Sequence, residues 1–507
     1  MFIRLASLTL LAGAASACTT DLDCSLNGAC AASACVCDAG WVSGAKHACE
    51  RLDLLPADLS HGYNHLRGHD TDNGSTSSWG ATQLKGDDGL YHTFVGEMAR
   101  NCGINGYENN EAIIHTTSKS ALGPFVRHGT LTPFASSSIC PHAQRDPKNG
   151  DWLIFHTGCG NHSDPNSEGY GTNHSAEITN CVNGSTPLHK TYGPSPGAGG
   201  RQLRERAAKR TCGVASDITS VFRSKSPYGP WTQHLLRTKP KAAKMINGVA
   251  WPGCNSNIDP QLCSVPDNLG GNPTALILPN GTTIVLFRTF HNNITACELL
   301  GAVIRDKGCV GKPGCPNGYP GCTLIGLAVA DSWDGLYDVV GGPMVNFQQE
   351  DPFIYKTKRG FHAVYHGMDP WPDAGHSGRH AYSVNGLDWH GGDEDAFTSN
   401  LTLVGGSKIR LARRERPELV HDEQERPLHL LSGAQFGPDV GNPGDQTFTL
   451  CQGVRQASAS PPPPPPSGKL ASCCARNETA PGCHGNPEGC YLDPKGKIPF
   501  GYCSVFC

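Results

Sequence analysis

The sequence predicts an all-β chain, a five-bladed β-propeller flanked by small disulfide-rich modules. Three observations carry that prediction. First, a strand–turn–strand unit recurs. It is plainest in EDPFIYKTKRGFHAVYHG (350–367), where an acid and a Pro open an aromatic and β-branched run, Lys-Arg-Gly turns the chain, and an alternating run returns. GNPTALILPNGTTIVLFRT (271–289) and RERPELVHDEQERPLHLLSG (414–433) are close copies, while PHAQRDPKNGDWLIFHTG (141–158) and WGATQLKGDDGLYHTFVG (79–96) are looser ones. Second, a third strand and turn follow these units: IIHTTSKSALGPFVRHGTL (113–131) and ITSVFRSKSPYGPWTQHLL (218–236) share Ser-Lys-Ser-x-x-Gly-Pro-aromatic, and 327–340 and 381–390 keep the Gly and the aromatic residue after it. Third, the 24 cysteines divide into clusters at the two ends and a scattered middle set, so that separate modules can each close their own bridges.

Taken in order, residues 1–17 (MFIRLASLTLLAGAASA) join one Arg, a short apolar run and an Ala-Ser-Ala end, the pattern of a secretory signal peptide cleaved before Cys18. No later apolar run approaches the roughly 18–20 residues of a membrane span. Charged residues are 17% of the chain and the formal net charge is −4, which leaves no basic footprint for nucleic acid. A secreted, extracellular chain is expected, with no membrane span and no nucleic-acid partner. The even cysteine number suits an oxidising compartment. Eight Asn-x-Ser/Thr sequons, at Asn73, Asn161, Asn173, Asn183, Asn280, Asn293, Asn400 and Asn477, are glycosylation candidates in that compartment.

Residues 18–50 carry Cys18, Cys24, Cys30, Cys35, Cys37 and Cys49, with a close CVC pair followed by a DAGW turn. This resembles an EGF-like domain, and the resemblance implies the pairings Cys18–Cys30, Cys24–Cys35 and Cys37–Cys49. A module this small has too little core to offset chain entropy, so the bridges must stabilise it. The calcium-binding subclass carries acids before its first Cys, and here Cys18 opens the mature chain, so no calcium is inferred. The module reads as a spacer or adhesion unit through which a protein partner could be engaged.

Residues 52–456 hold the repeats. Four-stranded units that cannot bury their own faces stack radially as blades. An insertion at 159–212, in the second blade, carries three sequons, Cys159, Cys181, Cys212 and the basic run RQLRERAAKR, and is expected at the surface beside one mouth of the propeller. A second insertion, 297–322, has no CxxC pair or suitably spaced His, so it reads as a disulfide clamp and no metal is assigned there. Residues 457–472 form a Pro-rich linker. Residues 473–507 form a cysteine-rich C-terminal module whose Tyr491, Phe500, Tyr502 and Phe506 are either its core or a sugar-stacking face.

In a propeller the innermost strands converge on a central channel, so residues at their starts face one another. The five copies place Trp79, His142, Asn272, Asp351 and Glu415/Arg416 there. His156, His291 and His366 also fall at strand ends and are further channel candidates. Glu350, one residue out of register, is expected to point away, because side chains alternate along a strand.

The strand-opening Asp351-Pro352 and Glu415-Arg416-Pro417 resemble motifs of the five-bladed propeller superfamily of glycoside hydrolase family 43 and the invertases and levansucrases. That resemblance covers roughly residues 60–455. It implies catalytic roles for Asp351, the acid in an Asp-Pro context, and for Glu415, the general acid; Asn272, His142, Trp79 and Arg416 would bind substrate. Asn272 holds the place where the family pattern has a base or nucleophile. An amide cannot take a proton from water or attack a sugar carbon, so Asp267, Asp70 or Asp72 would have to serve. The clustered Arg413, Arg414 and Arg416 oppose the acid role of Glu415 but suit a carboxylate or sulfate on a sugar. No cofactor is expected beyond the channel-bound calcium that the resemblance allows. The expected function is that of a secreted carbohydrate-active protein hydrolysing glycosidic bonds of an extracellular polysaccharide. The alternative is a non-catalytic glycan-binding or matrix adhesion protein.

Overall fold

The computed structural model describes residues 18–63, 77–98, 103–104, 111–131, 139–158, 219–239, 244–251, 269–291, 294–302, 322–368, 377–437 and 447–456. The signal peptide, most of both insertions, the linker, the C-terminal module, and Asp70, Asp72 and Asp267 lie outside these residues. So do the sequons at Asn73, Asn161, Asn173, Asn183, Asn293 and Asn477; Asn280 and Asn400 are described and exposed.

Five antiparallel sheets follow one another along the chain. Blade 1 is Ser77–Lys85, Tyr91–Met98, Glu111–Ser118 and Val126–Thr130; blade 2 is Ile139–Arg145, Trp152–Thr157, Thr219–Ser224 and Thr232–Leu235. Blade 3 is Gly271–Ile277, Thr283–His291, Cys322–Ala330 and Leu336–Val339, with Arg237–Thr238 added in parallel at its outer edge. Blade 4 is Gln349–Thr357, Gly360–Gly367, Ser377–Ser383 and His390–Thr398. Blade 5 is Lys408–His421, Pro427–Phe436 and Phe448–Gly453, and its fourth strand comes from the other end of the repeat region: Gly62–Tyr63 pairs with Thr449 and Leu450. Each innermost strand touches the next, and the fifth touches the first, so the ring is closed.

Every blade is covered by neighbours on both faces. Strands such as Trp152–Thr157 and Gly360–Gly367 are therefore buried at every position rather than alternately. The core is a set of inter-blade seams. Phe94 and Ile113 meet Trp152 and Ile154 between blades 1 and 2, and Leu286 and Leu327 meet Ile354 and Tyr365 between blades 3 and 4. Burial of this apolar surface is what makes one blade depend on the next. Beside blade 3, Cys297 and Cys322 form a disulfide, which clamps the ends of the second insertion.

The N-terminal module contains disulfides Cys18–Cys30, Cys24–Cys35 and Cys37–Cys49, the pairing that the resemblance to an EGF-like domain implies. Trp41, Cys24 and Leu52 share a core with Phe353, Val364, Leu419 and Leu430 of blades 4 and 5. Arg359, in the first hairpin turn of blade 4, donates to Asp38 at 2.9 and 3.1 Å and reaches Asp21. Glu394 accepts the backbone N–H groups of Ala45, Lys46 and His47. That hairpin turn lies at the end of blade 4 opposite Asp351, so these contacts are made away from the mouth that Asp351 faces.

Candidate functional site

The innermost strands share a local device that the period-2 pattern hides. In each blade, hydrogen-bond register breaks near the start of the first strand, between Ser78 and Ala81, Ile139 and His142, Gly271 and Thr274, Glu350 and Phe353, and Glu415 and Glu418. Within each break one residue has a left-handed backbone: Gly80 (φ 71°), Cys140 (56°), Asn272 (47°), Asp351 (52°) and Arg416 (53°). Four of the five are followed by Pro, which tolerates the missing ladder bond of a bulge. Left-handed backbone at a non-glycine residue costs of order 1 kcal/mol or more, and such strain concentrates at functional sites.

These five residues form the first layer of the channel. Cys140 Sγ donates to Asn272 Oδ1 at 3.1 Å, Asn272 Nδ2 donates to Asp351 Oδ1, Arg416 Nε lies 3.9 Å from Asp351 Oδ2, and Arg416 Nη1 donates to Cys140 Sγ. Four side chains thus close a ring. Gly80 leaves room for it, because a Cβ there would sit 3.0 Å from Arg416 Cδ and 3.1 Å from its Cβ. Two residues further in, Thr82, His142, Thr274, Phe353 and Glu418 form a second layer, where Glu418 accepts from Thr82 and its other oxygen lies 3.3 Å from His142 Nδ1. The cavity between the layers, lined by Cys140, His142, Asn272, Asp351, Arg416 and Glu418 among others, is small, about 40 Å³, and opens to solvent at its mouth.

This register corrects two expected positions. Trp79 is not the counterpart of Asp351; Gly80 is. The Trp79 indole is 1% exposed and lies against Gly433, in a small core with Met98 and Ile104, so it offers no surface to a sugar. His142 lines the channel but in the second layer, with Nε2 on the Ala275 carbonyl at 2.9 Å. Cys140 holds the blade 2 place. Asn272, Asp351 and Arg416 stand where the sequence put them.

Glu350 is a third correction. The left-handed turn at Asp351 breaks alternation, so Glu350 and Asp351 both join one cluster instead of pointing to opposite sides. Glu350, Asp351, His366 and Glu415 each present an atom within 4.8 Å of the others. Glu350 takes His366 Nδ1 at 3.3 Å and Arg288 Nη1 at 3.3 Å, and Arg413 Nε lies 3.7 Å from Glu415. Of the other strand-end histidines, His156 stacks on Phe222 and His291 on Trp251, away from the acids.

The cluster splits charge among its members. Burial raises Asp351 above the usual carboxylate range; Arg416 opposes this, and Glu350 and Glu415 add to it. Burial pushes Glu350 the same way, but the hydrogen bond from His366 and the charge of Arg288 outweigh it and hold the carboxyl low. Burial disfavours a charged His366, yet Glu415, Glu350 and Asp351 together raise it to about 9. At neutral pH the site therefore holds an imidazolium, a firmly ionised Glu350 and an Asp351 that, raised to about 6, is mostly ionised but takes up a proton far more readily than Glu350. Another acid, Glu111, on the third strand of blade 1, was not singled out from the sequence. It is fully buried and feels both Arg416 and Asp351.

Calcium takes six to eight oxygen ligands. The cluster of Glu350, Asp351, His366 and Glu415 offers three carboxyls and one imidazole, with the guanidiniums of Arg288 and Arg416 beside the carboxyls. This set does not fit that ion.

No protein-family model matches the chain, and no curated protein matches it. Among solved structures, the chain is similar to an exo-β-1,3-galactanase from Clostridium thermocellum, at 10% identity over 78% of this chain and 61% of that one, with a TM-score of 0.41. It is also similar to a family 117 glycoside hydrolase from the marine bacterium Zobellia galactanivorans, at 11% identity over 82% and 92%, with a TM-score of 0.43. A third such structure is an α-L-arabinofuranosidase from Lactobacillus brevis, at 10% identity over 76% and 94%, with a TM-score of 0.40. The chain thus spans about three fifths of the length of the first of these, 61%.

Proposed function

We propose that this protein is a secreted glycoside hydrolase acting on an extracellular polysaccharide at the mouth of its propeller channel. The observation that carries the proposal is the convergence of Glu350, Asp351 and Glu415 around His366, with the proton affinities of Glu350 and Asp351 driven apart. Glycosidic cleavage needs one carboxyl that delivers a proton to the leaving oxygen and another that stays ionised. In this reading Glu415 is the general acid, Asp351 holds its orientation and proton affinity, and Glu350 is the ionised partner. Glu350 then takes the role that Asn272 cannot fill. One oxygen each of Glu350 and Glu415 lies within 4.8 Å of the other, close enough for the short carboxyl spacing of retaining enzymes, roughly 5–5.5 Å.

The test is a hydrolysis screen of neutral and uronate-containing polysaccharides with the unmodified protein, Glu415→Gln and Glu350→Gln. Removing an acid or base that acts in the transition state lowers kcat by about 10²–10⁴-fold, and the first product keeps its anomeric configuration. Activity of Glu415→Gln equal to that of the unmodified protein overturns the acid assignment. A second reading, a glycan-binding protein that does not cut, is favoured by one observation: Asn272 sits inside the ring and spends its amide on Asp351. Affinity for a polysaccharide with no hydrolysis in any arm selects it.

A further inference from the structure

We propose that Glu111 is a further acid of this site, a positioning residue that carries a proton at neutral pH and so leaves Arg416 to the channel ring. Glu111 opens the third strand of blade 1, opposite Met98. It is fully buried, and among the described residues neither carboxyl oxygen has a hydrogen-bond partner. Its niche is built for it, because a Cβ at Gly96 would collide with Glu111 Oε1. The groups that face it come from three other blades: Arg416 from blade 5, Asp351 from blade 4 and Cys140 from blade 2. On its own blade, Glu97 is the neighbouring acid, and it is engaged by Tyr63 Oη at 2.7 Å and Arg127 at 3.0 Å.

A buried carboxylate with no hydrogen bond is costly, whereas a neutral carboxyl in the same place is tolerated. Burial accordingly raises Glu111 to about 8, with Arg416 opposing and Asp351 adding. Among the described residues at this end of the channel, Arg288 pairs with Glu350 and Arg413 lies beside Glu415, so Asp351 and Glu111 share Arg416. While Glu111 is neutral, Arg416 spends its hydrogen bond on Cys140 and its charge on Asp351. When Glu111 loses its proton, a second buried anion competes for Arg416, and the pull on Asp351 weakens. The ring is therefore set by a proton held on the third strand of blade 1.

The activity part of the test rests on the hydrolase reading; the spectroscopic part does not. Infrared difference spectra between the unmodified protein and Glu111→Gln should show a protonated-carboxyl band at pH 7 that belongs to Glu111 and that fades in the unmodified protein as pH passes about 8. In a hydrolysis assay, or in oligosaccharide binding if nothing is cut, Glu111→Gln should move the alkaline limb of the pH profile upward by a pH unit or more. Glu111→Met serves as a second non-titrating variant should the Gln variant fold poorly. No carboxyl band at pH 7 in the unmodified protein, or an alkaline limb left in place by both variants, overturns the proposal. Absence of hydrolysis with the band present overturns only the catalytic reading.

Discussion

Replacing Arg416 with Gln removes the one cation of the channel ring while keeping a chain of similar length. Arg416 Nε stands 3.9 Å from Asp351 Oδ2; the aspartate side chain is 4% exposed and the arginine side chain 13%. At an effective dielectric constant of about 20, charges at that distance attract by roughly 4 kcal/mol, which corresponds to about three pH units of proton affinity. Asp351 is already raised by burial, and without Arg416 it rises further. A carboxyl whose folded pKa exceeds its unfolded value is ionised first in the unfolded chain, so stability is lost as pH rises between the two values. The substitution stretches that window upward. The loss caused by Arg416→Gln should therefore be modest near pH 5 and grow by about 1.4 kcal/mol per pH unit, adding roughly 3 kcal/mol between pH 6 and pH 8. Urea unfolding followed by tryptophan fluorescence at several pH values measures it. Arg416→Lys, which restores charge but not the fork, should recover part of the loss. A destabilisation that is the same at pH 5 and pH 8 would refute the ring as an ionic unit.

Two further outcomes test the frame around the site. Gly433→Ala should cost about 1–3 kcal/mol by overpacking, because the new Cβ would stand 2.7 Å from Trp79 Cδ2 and 3.0 Å from its Cε2, and the buried indole has no room to yield; unchanged unfolding in denaturant would mean that the blade 1–blade 5 seam is loose. Glu394→Ala should expose the N–H groups of Ala45, Lys46 and His47, accelerating their hydrogen exchange and lowering stability by about 1 kcal/mol. Exchange rates left as they were would show that the N-terminal module is held by its apolar contacts alone.

The blades were legible because their signals are local. Asn280-Gly281 between two β-branched runs marks a hairpin, and the repeated Gly-Pro-aromatic turns, at Gly123-Pro124 and Gly229-Pro230, mark the way into the outermost strands. Ring closure was not legible, since it joins Gly62–Tyr63 to Phe448–Gly453 across almost the whole repeat region. The docking of the N-terminal module was equally hidden. It depends on Arg359 and Glu394 meeting partners more than 300 positions away in sequence, and no pattern along the chain records such a meeting.

The site itself shows where strand reasoning fails and what replaces it. Alternation assigns Glu350 and Asp351 to opposite faces, yet both serve one cluster, because a left-handed residue between two registers resets the direction of every side chain before it. The signal was present in the dipeptides Cys140-Pro141, Asn272-Pro273, Asp351-Pro352 and Arg416-Pro417. A proline inside the innermost strand of a blade fits a bulge or the unpaired side of that strand. Aligning the copies on that proline rather than on the first apolar residue would have placed Cys140 in the ring and moved His142 one layer in. Gly80-Ala81 lacks the proline, and so Trp79 was misplaced. Glu111 needed a different clue: an ionisable residue opening a strand that is buried at all eight positions, EAIIHTTS, has no solvent to face and must answer to something inside the protein.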